Sequence, residues 1–72
     1  MSTVNPTQVS EYAQRDGYNA ARAIKPIQSV EEYLGTHPEI AGGDEDDKTL
    51  YRNTFRARYN QTVSEMAAAG MT

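Results

Sequence analysis

The chain has 72 residues, ten acidic and seven basic, a net charge of −3 and no cysteine or tryptophan. A chain this short buries only about 60% of the surface its unfolded form exposes, and without cysteine neither a disulfide nor a Cys-based zinc site can support a thin core. The mild acidity argues against bulk, sequence-independent nucleic-acid binding, and no window approaches the ~18 apolar residues of a membrane span.

Leu, Ile, Val and Phe together number ten, below the roughly 20% level that signals disorder when net charge is also high. The charge is too small to complete that signature, and five tyrosines and three methionines add apolar area. The expectation is one marginal folded domain over residues 1–72, helped by a partner or by self-association. No basic stretch followed by an apolar one opens the chain, so the expected compartment is the cytoplasm.

Asn5-Pro6-Thr7-Gln8 reads as an N-cap, a first-turn proline and a glutamine that can answer the cap. A helix is predicted from about residue 6 to 24, because Lys25 precedes Pro26 and the residue before a proline is pushed out of the helical region. Val9, Ala13, Gly17, Ala20 and Ile24 recur on it at three- and four-residue spacing, with Tyr12 beside them. Ala13, Gly17 and Ala21 form a small-residue row that invites another helix to approach closely, within the chain or from a second copy. Gly17 costs about 1 kcal/mol relative to alanine in a helix, so a packing reason is expected for it.

Ser29-Val30-Glu31-Glu32 matches a capping box and Gly35 a stop signal, and Thr36-His37-Pro38-Glu39 repeats the pattern before Gly42-Gly43. Residues 29–41 therefore read as short helical turns that fold Val30, Tyr33, Leu34 and Ile40 inward. Asp44-Glu45-Asp46-Asp47 then opens the longest helix, about 45–69, where the helix dipole favours negative charge. Tyr51, Phe55, Tyr59, Thr62, Val63 and Met66 make its apolar stripe, with Leu50 at the edge, and Ala67-Ala68-Ala69-Gly70 ends it. No alternating strand pattern occurs. The predicted fold is all-α: two antiparallel helices with a connector of short turns laid across them.

No chemistry-bearing constellation emerges. His37 is the sole histidine, and its sequence neighbours are explained by capping, which leaves no expected base, nucleophile or metal ligand. Asp44 and Asp46 could open a calcium loop, but Lys48, Thr49 and Phe55 stand where a ligand, the turn glycine and the bidentate glutamate belong. Gly42-Gly43-Asp44-Glu45 resembles the start of the diguanylate cyclase signature in a chain far too short for that domain. No cofactor is expected.

Lys48, Arg52 and Arg56 recur at four-residue spacing, with Arg58 close in sequence, as a basic row on the long helix. Such a row is either a solvated face, aided by an Asp44–Lys48 pair, or a contact for carboxylates or phosphates. Arginine at three of the four positions favours planar bidentate contacts. With Tyr51, Phe55 and Tyr59 on the same helix, the composition is that of a binding hot spot, although such a stripe also serves as core.

Asp16-Gly17-Tyr18-Asn19-Ala20-Ala21-Arg22-Ala23 and Tyr51-Arg52-Asn53-Thr54-Phe55-Arg56 together resemble the two-helix plan of bacterial ribosome modulation factors. That family is strongly basic and carries a Cys-Pro-Tyr segment and tryptophans, none of which this acidic chain has, so the resemblance is not adopted.

The functional expectation is a non-enzymatic regulator or inhibitor that docks on a larger protein complex through Lys48, Tyr51, Arg52, Phe55, Arg56, Arg58 and Tyr59. Small acidic chains of this kind are frequent among virus-encoded regulators of host systems. The alternatives are a structural subunit of an assembly, a minor virion or scaffold component for example, and an accessory factor that touches phosphate or nucleic acid through Lys48, Arg52 and Arg56. Self-association through Ala13, Gly17 and Ala21 is a further expectation.

Overall fold

In the computed structural model, which describes residues 5–70, the first helix starts where the sequence signals it. Helix α1 spans Pro6–Arg22. The Asn5 side chain accepts a hydrogen bond from the Gln8 N–H at 2.8 Å, and Pro6 occupies a first-turn position whose missing N–H would have had no partner. The helix ends two residues before the expected Ile24. There the Ile24 N–H donates to the Ala21 carbonyl and the Lys25 N–H to the Ala20 carbonyl, the crossed pair of bonds in a Schellman motif. Ile24 takes the left-handed position of that motif at φ 58°. Glycine is the usual occupant, and a β-branched residue there is a true outlier.

A 3-10 turn at Ile27–Ser29 runs directly into α2, Val30–Gly35, and α3 follows over Pro38–Ala41. The capping box expected at Ser29 does not form. Ser29 is already helical at φ −62° and ψ −9°, and its buried Oγ has no hydrogen-bond partner. Helix α4 spans Glu45–Ala68, with three acidic residues in its first turn. It closes as predicted on Gly70, which sits at φ 74° and bonds back to the Ala67 carbonyl. The expected Asp44–Lys48 pair is replaced by Lys48 Nζ against Glu45 at 2.8 Å.

All described elements are helical, and α1 packs along α4, so the all-α, two-helix reading holds. Their direction is a correction. Asp16 meets Tyr51, Tyr18 meets Arg58, and Arg22 shares a depression with Glu65 and Met66. Partners on α4 advance as α1 advances, so the two helices run parallel and not antiparallel. The antiparallel expectation assumed a connector lying across the pair, whereas it forms a third pass that returns the chain to the starting end. Lys25 lies beside Tyr59, Glu31 beside Arg52 and His37 beside Tyr51, so the connector descends α4 as its own numbering rises. Return along a 17-residue helix requires about 25 Å at 1.5 Å per residue, well within the reach of residues 23–44.

The core sits where the three passes meet. Val9, Ala13 and Ala20 of α1, Val30, Leu34 and Ile40 of the connector, and Tyr51 and Phe55 of α4 are buried together. Each large side chain buried this way contributes about 1.5–3 kcal/mol. The small row on α1 sets the helix separation: a Cβ on Gly17 would stand 2.6 Å from the Phe55 carbonyl oxygen. Val63, expected in the stripe, is 42% exposed. The reason is angular: the adjacent Thr62 is buried at 1%, and one residue further Val63 stands about 100° around the helix, off the buried side.

Candidate functional site

The residues expected to form one binding face divide among three environments. Tyr51 and Phe55 are fully buried, so their partner-facing assignment gives way to a core role. Tyr59 is half-buried, and its hydroxyl donates to the Lys25 carbonyl, tying the connector to α4. Arg52 makes a fork to Glu31, Nε to Oε2 at 2.8 Å and a terminal nitrogen to Oε1 at 3.0 Å. The guanidinium holds the exposed Glu31 carboxyl below its ordinary range. With Lys48 on Glu45, two of the three cations of the expected row already have acids beside them, and Arg56 is the exposed remainder. This charge balance weakens a phosphate-contacting role for Lys48, Arg52 and Arg56.

Arg58 lies elsewhere. A step of two residues carries it about 200° around the helix from Arg56 at 3.6 residues per turn, and its guanidinium stands 5.2 Å from the centre of the Tyr18 ring. Arg22 reaches the same ring at 5.9 Å, within cation–π range. Tyr18 is 39% exposed. Arg15, one turn before it, lines a shallow surface with Gln14, Tyr18 and Arg58, and Arg22 lines another with Tyr18, Thr62, Glu65 and Met66. Neither Arg22 nor Arg58 has an ion pair among the described residues, and Arg15 has only a distant one, 4.0 Å from buried Asp16. Parallel packing therefore brings Arg22 of α1 and Arg58 of α4 to one tyrosine ring, with Arg15, whose guanidinium stands 5.4 Å from the Tyr12 ring, at the edge of the same face. Sequence reading missed it because Tyr18 and Arg58 lie 40 residues apart and only the helix direction brings them together.

Ala13, Gly17 and Ala21 are buried within the chain. The row expected for self-association is occupied by the close approach of α4, and its small residues present no open face to a second copy.

The structure also gives His37 partners that the sequence did not reveal. Its Nε2 lies 2.8 Å from Asp16 Oδ2, the same oxygen that accepts the Tyr51 hydroxyl at 2.6 Å. The imidazole stacks on Tyr12 with ring centres 4.7 Å apart. One carboxylate from α1 thus joins the start of α3 to α4. Burial, with the Asp16 carboxylate second, pushes the Tyr51 phenol far above its ordinary 10.0. Asp16 and Tyr51 are buried and His37 is partly exposed, and the three side chains tie α1, the connector and α4 together as a brace. Among the described residues no group of three or more His, Cys, Asp or Glu is placed to hold a metal ion. No described helix is long and apolar enough to cross a membrane. No protein family, curated protein or solved structure matches the chain.

Proposed function

We propose that the chain is a non-enzymatic binding protein, a regulator or inhibitor in an aqueous compartment such as the cytoplasm, that docks on a larger protein complex. Arg15, Tyr18, Arg22 and Arg58 form the docking face. The observation that carries this reading is the placement of the Arg22 and Arg58 guanidiniums 5.9 and 5.2 Å from one half-exposed tyrosine ring, without carboxylate partners among the described residues. Arginine and tyrosine dominate binding hot spots because both bury large area and supply directional hydrogen bonds. Three guanidiniums on a chain of net charge −3 favour a partner whose contact surface is rich in Asp and Glu.

The test is co-purification from extract of the source cells with a tagged chain, in parallel with the double variant Arg22→Gln/Arg58→Gln. Glutamine keeps helix propensity, so the variant folds. The expected result is one larger protein retained by the natural chain and lost from the variant. Recovery of the bare chain, or of the same proteins on both, would overturn the proposal. Retained material that is nucleic acid, with a steep loss in rising salt, would overturn it as well.

A further inference from the structure

Ile24 is the one described residue other than glycine at positive φ, 58°, and it is 85% exposed. The two properties oppose each other. A β-branched residue in the left-handed region is strained, and glycine at this position of a Schellman motif carries no such strain. Strain of that kind persists when packing compensates it, but a side chain this exposed has little packing within its own chain. The fold gains little from isoleucine here, and strained backbone positions concentrate at ligand clamps and contact sites.

The surroundings say what it would contact. Arg22 closes α1 two residues earlier, beside Tyr18, Thr62, Glu65 and Met66, and Lys25, whose ammonium stands 5.3 Å from the Tyr33 ring, follows immediately, so the exposed apolar side chain lies between two basic residues in sequence, at the end of α1 that borders the docking face. We propose that Ile24 is the apolar anchor of that face and enters an apolar pocket rimmed by Asp and Glu on the partner protein. This rests on the docking function proposed above. A second copy of the chain fits poorly, because a symmetric pairing would set Arg22, Lys25 and Arg58 against their own counterparts. A lipid surface fits poorly too: an exposed isoleucine and, on α4, a 42% exposed Val63 are far less apolar area than an interfacial helix presents.

The experiment places a diazirine-bearing amino acid at position 24 in the source cells and sequences the peptides cross-linked on irradiation. The expected cross-link joins one larger protein at a segment where aliphatic or aromatic residues lie close to Asp and Glu. That protein, purified, is then titrated with Ile24→Gly and Ile24→Asn, both of which suit the left-handed backbone. Each variant should bind at least about tenfold more weakly, since burying an isoleucine commonly exceeds the free energy of a tenfold change in affinity, while Ile24→Gly unfolds at a higher temperature than the natural chain. Loss of binding together with a gain in stability is an outcome that no purely structural role of Ile24 produces. Cross-links confined to a second copy or to lipid, or no cross-link at all, would overturn the anchor. So would unchanged affinity of Ile24→Gly for a partner that Arg22→Gln/Arg58→Gln loses, a result that leaves the docking face standing. A natural chain that recovers no partner brings down the docking function itself.

Discussion

Substituting Gly17 by alanine tests the helix crossing on which the whole arrangement depends. In an isolated helix the change would stabilise by about 1 kcal/mol. Here the added Cβ would stand 2.6 Å from the Phe55 carbonyl oxygen and 3.3 Å from the Arg58 Cβ, where ordinary contact starts at 3.4 Å. The first obstacle is backbone of α4, so no rotamer change relieves it, and the helices must separate by about 0.8 Å, a strain of the size that makes overpacking cost 1–3 kcal/mol. Separation also loosens Ala13 and Ala20 against Tyr51 and Phe55, which adds to the loss. The net expectation is a destabilisation of about 1–2 kcal/mol, a substantial share of the roughly 4–11 kcal/mol that typical per-residue stabilities give for 72 residues. Urea unfolding followed by far-ultraviolet circular dichroism measures it as a lower midpoint at unchanged slope. A midpoint equal to or above that of the natural chain would refute the close crossing. Size-exclusion chromatography on the same samples separates the two uses of the small row, because a dimer held by Ala13, Gly17 and Ala21 would dissociate as the variant forms.

Three further perturbations follow from the same geometry. Ile24→Gly removes the left-handed cost of about 1–2 kcal/mol and adds back part of it as unfolded-chain entropy, so thermal unfolding should show a net gain of about 0.5–1 kcal/mol. Ser29→Ala deletes a buried hydroxyl that has no partner, so urea unfolding should find the variant as stable as the natural chain or more stable by about 1 kcal/mol. Tyr51→Phe removes a 2.6 Å hydrogen bond to Asp16 and should cost about 1.5–3 kcal/mol near neutral pH. Its pH dependence has a definite sign: because the folded-state value of this phenol is raised above 10.0, the stability from keeping it neutral is complete below that pH and lost as pH rises through it. The natural chain should therefore lose about 1.4 kcal/mol more per pH unit above pH 10 than Tyr51→Phe does, as read from urea midpoints across pH 9–11.

What the sequence made legible was local. Asn5-Pro6 and Ala69-Gly70 announce helix ends through backbone groups that lie within a few residues of them, and the four-residue recurrence of Tyr51, Phe55 and Tyr59 marks the buried side of a single helix. The Ser29 box failed although its letters are right, because the preceding 3-10 turn already supplies the Ser29 N–H with the Pro26 carbonyl as partner. The early stop at Arg22 had no glycine to mark it, since Ile24 fills the glycine position. The direction of α4 relative to α1 was illegible for a different reason: either direction buries the same small row against the same aromatic stripe. What decides between them is long-range pairing, and Arg58 with Tyr18, Glu31 with Arg52 and His37 with Asp16 leave no trace at any fixed spacing.

That long-range pairing bears on how the docking face is built. Apolar contact among Val9, Ala13, Leu34, Ile40 and Phe55 is non-directional, and a slide of the connector or of α4 by one turn, about 5.4 Å, would exchange one set of such contacts for another of similar worth. Asp16 is not indifferent in this way. It is 6% exposed, and its Oδ2 is served by the Tyr51 hydroxyl from α4 and by His37 from the connector. A one-turn slip would take both donors away and leave a buried carboxylate uncompensated, a loss of several kcal/mol. The brace therefore selects one register among those the apolar core tolerates. In that register Tyr18, two residues beyond Asp16 on α1, lies level with Arg58, seven beyond Tyr51 on α4. A slip that carried Arg58 one turn along would remove it from the ring and leave Arg22 alone beside Tyr18. The internal polar cluster and the external arginine face are thus two consequences of one alignment, which is why a chain with so little core devotes a buried aspartate, a buried tyrosine and a partly buried histidine to it.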